Sequence, residues 1–70
     1  MKTAKRFDMS AKGWEIEVSA VGCAQTTRVS IDTYYKKSGI LDSIGLDIVD
    51  VPKLIVCLED ILTEYIEENR

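Results

Sequence analysis

Nine side chains in the first 37 residues suit the grip of a flexible polyanion. Lys5, Arg6, Lys12, Arg28, Lys36 and Lys37 carry positive charge, and Trp14, Tyr34 and Tyr35 carry flat rings. Cations follow phosphates and release their counterions, while rings stack on bases whatever the base. The densest part of this set lies in Thr26–Lys37, TTRVSIDTYYKK. That run alternates. If it is a strand, Val29, Ile31, Thr33 and Tyr35 point one way, and Arg28, Ser30, Asp32, Tyr34 and Lys36 the other. Tyr35 shares the face of Val29 and Ile31, so it fits a core or a stacking platform. Trp14, on a face with Ile16 and Val18, has the same two readings.

Other chemistry is poorly supplied. The chain has no histidine, which removes the usual general base and the commonest zinc ligand. Cys23 and Cys57 have no histidine to activate them and no metal spacing, and read as reduced thiols in a cytoplasmic protein. Gly13, Gly22, Gly39 and Gly45 are scattered and form no phosphate loop. Glu15 and Glu17 share a strand face but read as solvated carboxylates, and Asp42, Asp47 and Asp50 lack calcium-loop spacing. The expectation is a binding protein with no enzymatic activity, no cofactor and no metal.

Seventy residues, 46% hydrophobic and 30% charged, make one globular domain, residues 1–70. Such a short chain buries only about 60% of its unfolded surface and often gains stability by oligomerising. No apolar run is long enough to span a membrane, and no apolar stretch follows Lys2, Lys5 and Arg6 to make a secretory signal. The net charge of −3 hides a split. Residues 1–37 hold seven cations and four acids, whereas residues 38–70 hold two cations and eight acids. The overall acidity argues against a nucleic-acid binder, but a binding field depends on where charge sits.

The elements that must position these side chains follow from periodicity. Lys5–Ser10 alternates, with Phe7 and Met9 as candidate core residues. Ala11-Lys12-Gly13 reads as a turn with Gly13 at positive φ. Trp14–Val21 is a strand with Trp14, Ile16, Val18 and Ala20 on one face. Gly22–Gln25 is a short connection to an antiparallel neighbour. Lys37-Ser38-Gly39 ends the third strand, and Ile44–Ile48 is a fourth. A helix is predicted from about Pro52 to about Glu68, with Asp50 at its N-cap. Its apolar residues cover about 140° of the circumference, more than the roughly 100° that one sheet requires. The surplus points to a partner helix, contacted through Leu54, Leu58, Ile61 and Tyr65. The expected class is α+β: a curved four-stranded antiparallel sheet with one C-terminal helix on one face, dimeric through the helices.

The runs VSIDTYYKKSG and IGLDIVDVPKL resemble the C-terminal domain of the transcriptional coactivator positive cofactor four, a family with small bacterial and phage relatives. The likeness rests on Ile31-Asp32, Tyr34-Tyr35, Gly39, the strand Ile44, Leu46, Ile48, and Leu54 and Leu58 in the helix. It covers about residues 26–58. It implies a β-β-β-β-α chain that forms a homodimer through its helices and binds single-stranded nucleic acid, DNA above all, across the sheet. The implied grip is strand and loop cations together with the aromatic that ends the third strand, Tyr35. The implied setting is transcription, replication or repair. Gly39–Ile44, where the family is rich in Lys, Arg and Gly, holds Asp42 and no cation here. That departure favours an alternative expectation, a small dimeric protein-interaction module with weak or lost nucleic-acid binding. Gly45–Val51 is also similar to the second helix of acyl carrier proteins, but Ile48 stands where the modified serine must be.

Overall fold

The computed structural model describes residues 1–70, apart from the side chains of Ile40 and Leu41. Four strands, β1 (Lys2–Asp8), β2 (Trp14–Val21), β3 (Arg28–Tyr35) and β4 (Gly39–Asp47), precede one helix, α1 (Val51–Glu68). The strands form a single sheet in the order β1-β2-β3-β4, antiparallel throughout. The β-β-β-β-α architecture is therefore the expected one.

Local chemistry explains the turns. Between β1 and β2 the Trp14 amide donates to the Ala11 carbonyl at 3.2 Å, and the Met9 amide donates to the Trp14 carbonyl at 2.9 Å. Gly13 sits at φ 89°, a left-handed conformation that costs glycine nothing. Between β3 and β4 the Ser38 amide donates to the Tyr35 carbonyl at 3.0 Å. The β2–β3 connection is longer than expected, because it contains a 3-10 turn at Ala24–Thr26.

Several boundaries differ from the sequence reading. β1 begins at Lys2, earlier than Lys5, because Lys2–Ala4 pair with Ser19–Val21 of the strong second strand. β4 begins at Gly39, earlier than Ile44, because it zips along the whole length of β3 across a register shift between Thr33 and Tyr34. Partner strands thus extended segments whose own alternation is weak. Asp50 stands at the head of α1, but its backbone is already helical (φ −92°, ψ −10°) and its side chain makes no capping hydrogen bond.

The core is the main surprise. Among the described residues Val29, 7% exposed, is the one buried hydrophobic side chain. Register puts Phe7, Trp14, Ile16, Val18, Ala20, Ile31, Tyr35, Ile44 and Leu46 on the same face as Val29. Yet that face is open, with Phe7 56% and Ile44 63% exposed. Met9 is exposed as well, so the expectation of Phe7 and Met9 in a core fails within one chain. The expected placement of α1 over the sheet fails for the same reason. Only Val51 and Leu54 of the helix are half-buried, and Leu58, Ile61, Leu62 and Tyr65 are all exposed. β4 passes into α1 through a 3-10 turn at Ile48–Asp50 with no reversing residue, so the helix is not folded back onto the sheet. The Ile48 amide donates to the Thr27 carbonyl at 3.0 Å and ties this turn to the start of β3.

The opposite sheet face is polar and internally bonded. Asp32, 9% exposed, accepts hydrogen bonds from the hydroxyls of Ser30 and Ser43. It lies directly across from Glu17 on β2. Like charges opposed in this way are unfavourable, and here the serine hydroxyls and the Arg6–Glu17 pair offset the repulsion. Asp32→Ala removes an ionised acceptor from two hydroxyls, and the expected loss is about 1.5–3 kcal/mol of stability in a denaturant titration. A change under about 0.5 kcal/mol would show that solvent already satisfies both serines.

Candidate nucleic-acid interface

The antiparallel register sorts the six candidate side chains that lie in strands into two groups on opposite faces, and Lys12, Lys36 and Lys37 lie in the adjoining turns. Trp14 and Tyr35 are direct cross-strand partners on the apolar face, at the end of the sheet that carries the β1–β2 and β3–β4 turns. Their rings lie 5.2 Å apart, centroid to centroid, tilted by 40°. Such a pair adds stability beyond its buried area and holds both rings in place. The Lys36 amide donates to the Gly13 carbonyl at 2.9 Å, which joins the two turns. Lys12, Gly13, Tyr35, Lys36 and Lys37 then line one cleft of about 370 Å³. Lys5 projects from the same face as the ring pair, opposite Val18.

Gly13 shapes this cleft. A Cβ built on it would lie 2.8 Å from Cε2 of Tyr35, closer than any carbon pair tolerates, and its φ of 89° strains other residues. Gly13→Ala is expected to cost about 1–3 kcal/mol and to displace the Tyr35 ring. Trp14 is the one tryptophan, so its fluorescence reports the displacement directly. An unchanged emission spectrum together with an unchanged melting temperature would refute the contact.

The second group lies on the polar face and is closed by the protein's own acids. The Arg6 guanidinium lies 5.1 Å from the centre of the Tyr34 ring and donates through Nε to Glu17. That hydrogen bond, and the charge of Glu17, raise the Arg6 pKa above its ordinary value. The Tyr34 hydroxyl donates to the other Glu17 oxygen at 3.4 Å. Lys36 Nζ lies 3.2 Å from Asp8 and 3.8 Å from Glu15. Arg28, at the far end of β3, donates to Asp47 Oδ1 at 2.6 Å. Arg28 and Lys36 therefore share a face but stand at its two ends, each beside a carboxylate.

Sequence reasoning names Trp14, Tyr35 and the turn lysines one by one, but it misses the roles of Glu15 and Glu17. Their sequence pattern alone suggests solvated carboxylates. They are half-buried, and Glu17 is the acceptor that organises Arg6 and Tyr34. The available signal was register: the antiparallel pairing of β1 with β2 sets Arg6 against Glu17. A wider cleft of about 610 Å³ over β1 and β2 is lined by Lys2, Thr3, Ala4, Glu17, Ser19, Ala20 and Val21. It holds one cation and no ring, so the smaller cleft carries the more relevant chemistry. Among the described residues no group of three His, Cys, Asp or Glu side chains is placed to hold a metal ion, and no helix is long and apolar enough to cross a membrane. In comparisons by sequence and by structure, no protein-family model, no curated protein and no solved structure matches the chain.

Proposed function

We propose that this chain is a non-enzymatic, homodimeric protein that binds single-stranded nucleic acid, DNA before RNA, in transcription, replication or repair. The observation that supports it is the fixed Trp14–Tyr35 pair beside a cleft that Lys12 and Lys37 help to line. Rings at a strand end offer a base a stacking surface. Lysines from the two adjoining turns meet the phosphates on either side of that base. The likeness of Val29–Gly39 to the positive-cofactor-four domain points the same way. Open apolar surface on the sheet and the helix supports the homodimer, since the one buried hydrophobic residue among those described cannot offset the chain entropy of 70 residues.

A second reading is favoured by the polar face. Arg6, Arg28 and Lys36 each already face a carboxylate of the same chain, which leaves little net attraction for phosphates there. On this reading the protein is a dimeric interaction module that has lost most of its nucleic-acid affinity. Fluorescence anisotropy with a labelled oligothymidine separates the two. Binding at about micromolar protein in low salt, falling linearly on a log–log plot as salt rises, is the expected result. Flat anisotropy in about 50 mM salt would leave the interaction module in front.

A further inference from the structure

The sheet has two open edges, and they carry opposite charge. β1 pairs only with β2, and β4 only with β3. All of β1 is exposed, and it holds Lys2, Lys5 and Arg6 against a single acid, Asp8. β4 holds Asp42 and Asp47 and no cation, and Asp42–Gly45 and Asp47 are exposed. Arg6 and Asp47 are partly neutralised by Glu17 and Arg28. Among the ion pairs of the described residues, none involves Lys2, Lys5 or Asp42.

We propose that the β1 edge of one copy pairs with the β4 edge of a second copy, so that chains add head to tail into one continuous antiparallel sheet. An open edge presents unpaired N–H and C=O groups that another strand can complete. Charge selects which strand. Two β1 edges would set lysines and Arg6 against their own kind, and two β4 edges would oppose aspartates. Like charges across a strand pair are destabilising, so both symmetric pairings are disfavoured and the mixed one is favoured.

Strand parity permits the mixed pairing. In an antiparallel meander of four strands, β1 and β4 run in opposite directions. A second β1 laid antiparallel to β4 therefore keeps its whole copy in the same orientation, with the same face upward. Successive copies are related by a shift of four strand spacings, about 19 Å, together with the sheet twist. By register Lys5 and Asp42 belong to the same face. One antiparallel register across the new seam sets Lys5 opposite Asp42 and places Thr3 beside Ile44, beyond the irregularity at Thr33/Tyr34. An interface of two different patches closes into a ring only if its rotation allows, and copies related mainly by translation add without limit. α1 leaves from the Asp47 end of β4 and leaves Asp42–Gly45 exposed, so a helix-to-helix contact and this seam can coexist.

Sedimentation velocity on the full chain without nucleic acid tests this independently of the binding reading. In low salt the mass should climb with concentration well past two copies of the 7.9 kDa chain, and added salt should reverse the growth. Lys2→Glu/Lys5→Glu makes both edges acidic, and Asp42→Lys/Asp47→Lys makes both basic. Each variant alone should halt at two copies, and an equimolar mixture should regain growth, which also shows that both are folded. A wild-type protein that stays at two copies at every concentration, variants that grow as the wild type does, or a mixture that stays small would each overturn the proposal.

Discussion

Ile61→Asp should abolish the folded dimer at micromolar concentration. Ile61 is 65% exposed in the single chain, on the apolar helix face that also carries Leu58 and Tyr65. If that face were free in solution, the substitution would change stability by less than about 0.5 kcal/mol and would improve solubility. If it lies between two helices, each dimer gains two unpaired charges in an apolar contact, at about 3–5 kcal/mol apiece. That is comparable to the whole stability of a small domain. Most helical stability in proteins comes from packing of an amphipathic face, so α1 itself should fray when the partner is lost. The measurement is circular dichroism on heating at several protein concentrations. Wild-type protein should melt higher as concentration rises, as mass action requires of a dimer, and Ile61→Asp should show little helix at any concentration. Thr63→Asp, on the polar side of the same helix, is the control and should melt as the wild type does. A concentration-independent melt shared by all three proteins would dispose of the helix-mediated dimer.

The second large effect concerns the ring pair. Trp14→Ala and Tyr35→Ala should each weaken oligothymidine binding by about 5- to 150-fold, the range of one base–ring stack. Tyr35→Leu separates stacking from packing, because it keeps apolar bulk against Gly13 and loses the ring. It should bind as poorly as Tyr35→Ala while melting close to the wild type. Lys12→Ala/Lys37→Ala should lower affinity in low salt and flatten the salt dependence by about 1.4, the contribution of two phosphate contacts to a single strand. Arg28→Ala should bind nearly as the wild type does, since Asp47 already neutralises that guanidinium. Equal losses from Arg28→Ala and Tyr35→Ala would place the strand along the polar face and sink the site proposed here.

Both predictions turn on what one chain leaves unfinished. An apolar sheet face and an apolar helix face are each open, and Val29 alone is buried among the hydrophobic side chains described. The width of the helical stripe already hinted at this in the sequence. About 140° of apolar arc is more than one sheet can use, and in the single chain the excess stays almost wholly exposed.

How far the site was legible depends on which residues are considered. Trp14 and Tyr35 fall on one face by simple alternation, and the β2–β3 register makes them direct partners. Tyr34 and Arg28 fall on the other face by the same rule, so the nine candidates could never have formed one surface. That division was implicit in the period of 2. What alternation could not supply was the set of partners for each cation. Arg6 meets Glu17 across β1–β2, Arg28 meets Asp47 across β3–β4, and Lys36 reaches Asp8 from a turn.

Taken alone, the order of amino acids determined the four alternating strands, the amphipathic helix, the positive φ at Gly13 and the separation of basic from acidic halves. These are short-range properties, set by the 2-residue and 3.6-residue periods of the backbone and by the conformations open to glycine. Tertiary structure alone decided that α1 would stand clear of the sheet, that the polar face would neutralise itself, and that the two turns carrying Lys12 and Lys37 would meet beside one ring. Each of those outcomes depends on strand register and on a connection's direction, which bring together residues far apart in the chain. No local pattern encodes such meetings, because the free energy that chooses among registers is summed over a whole sheet.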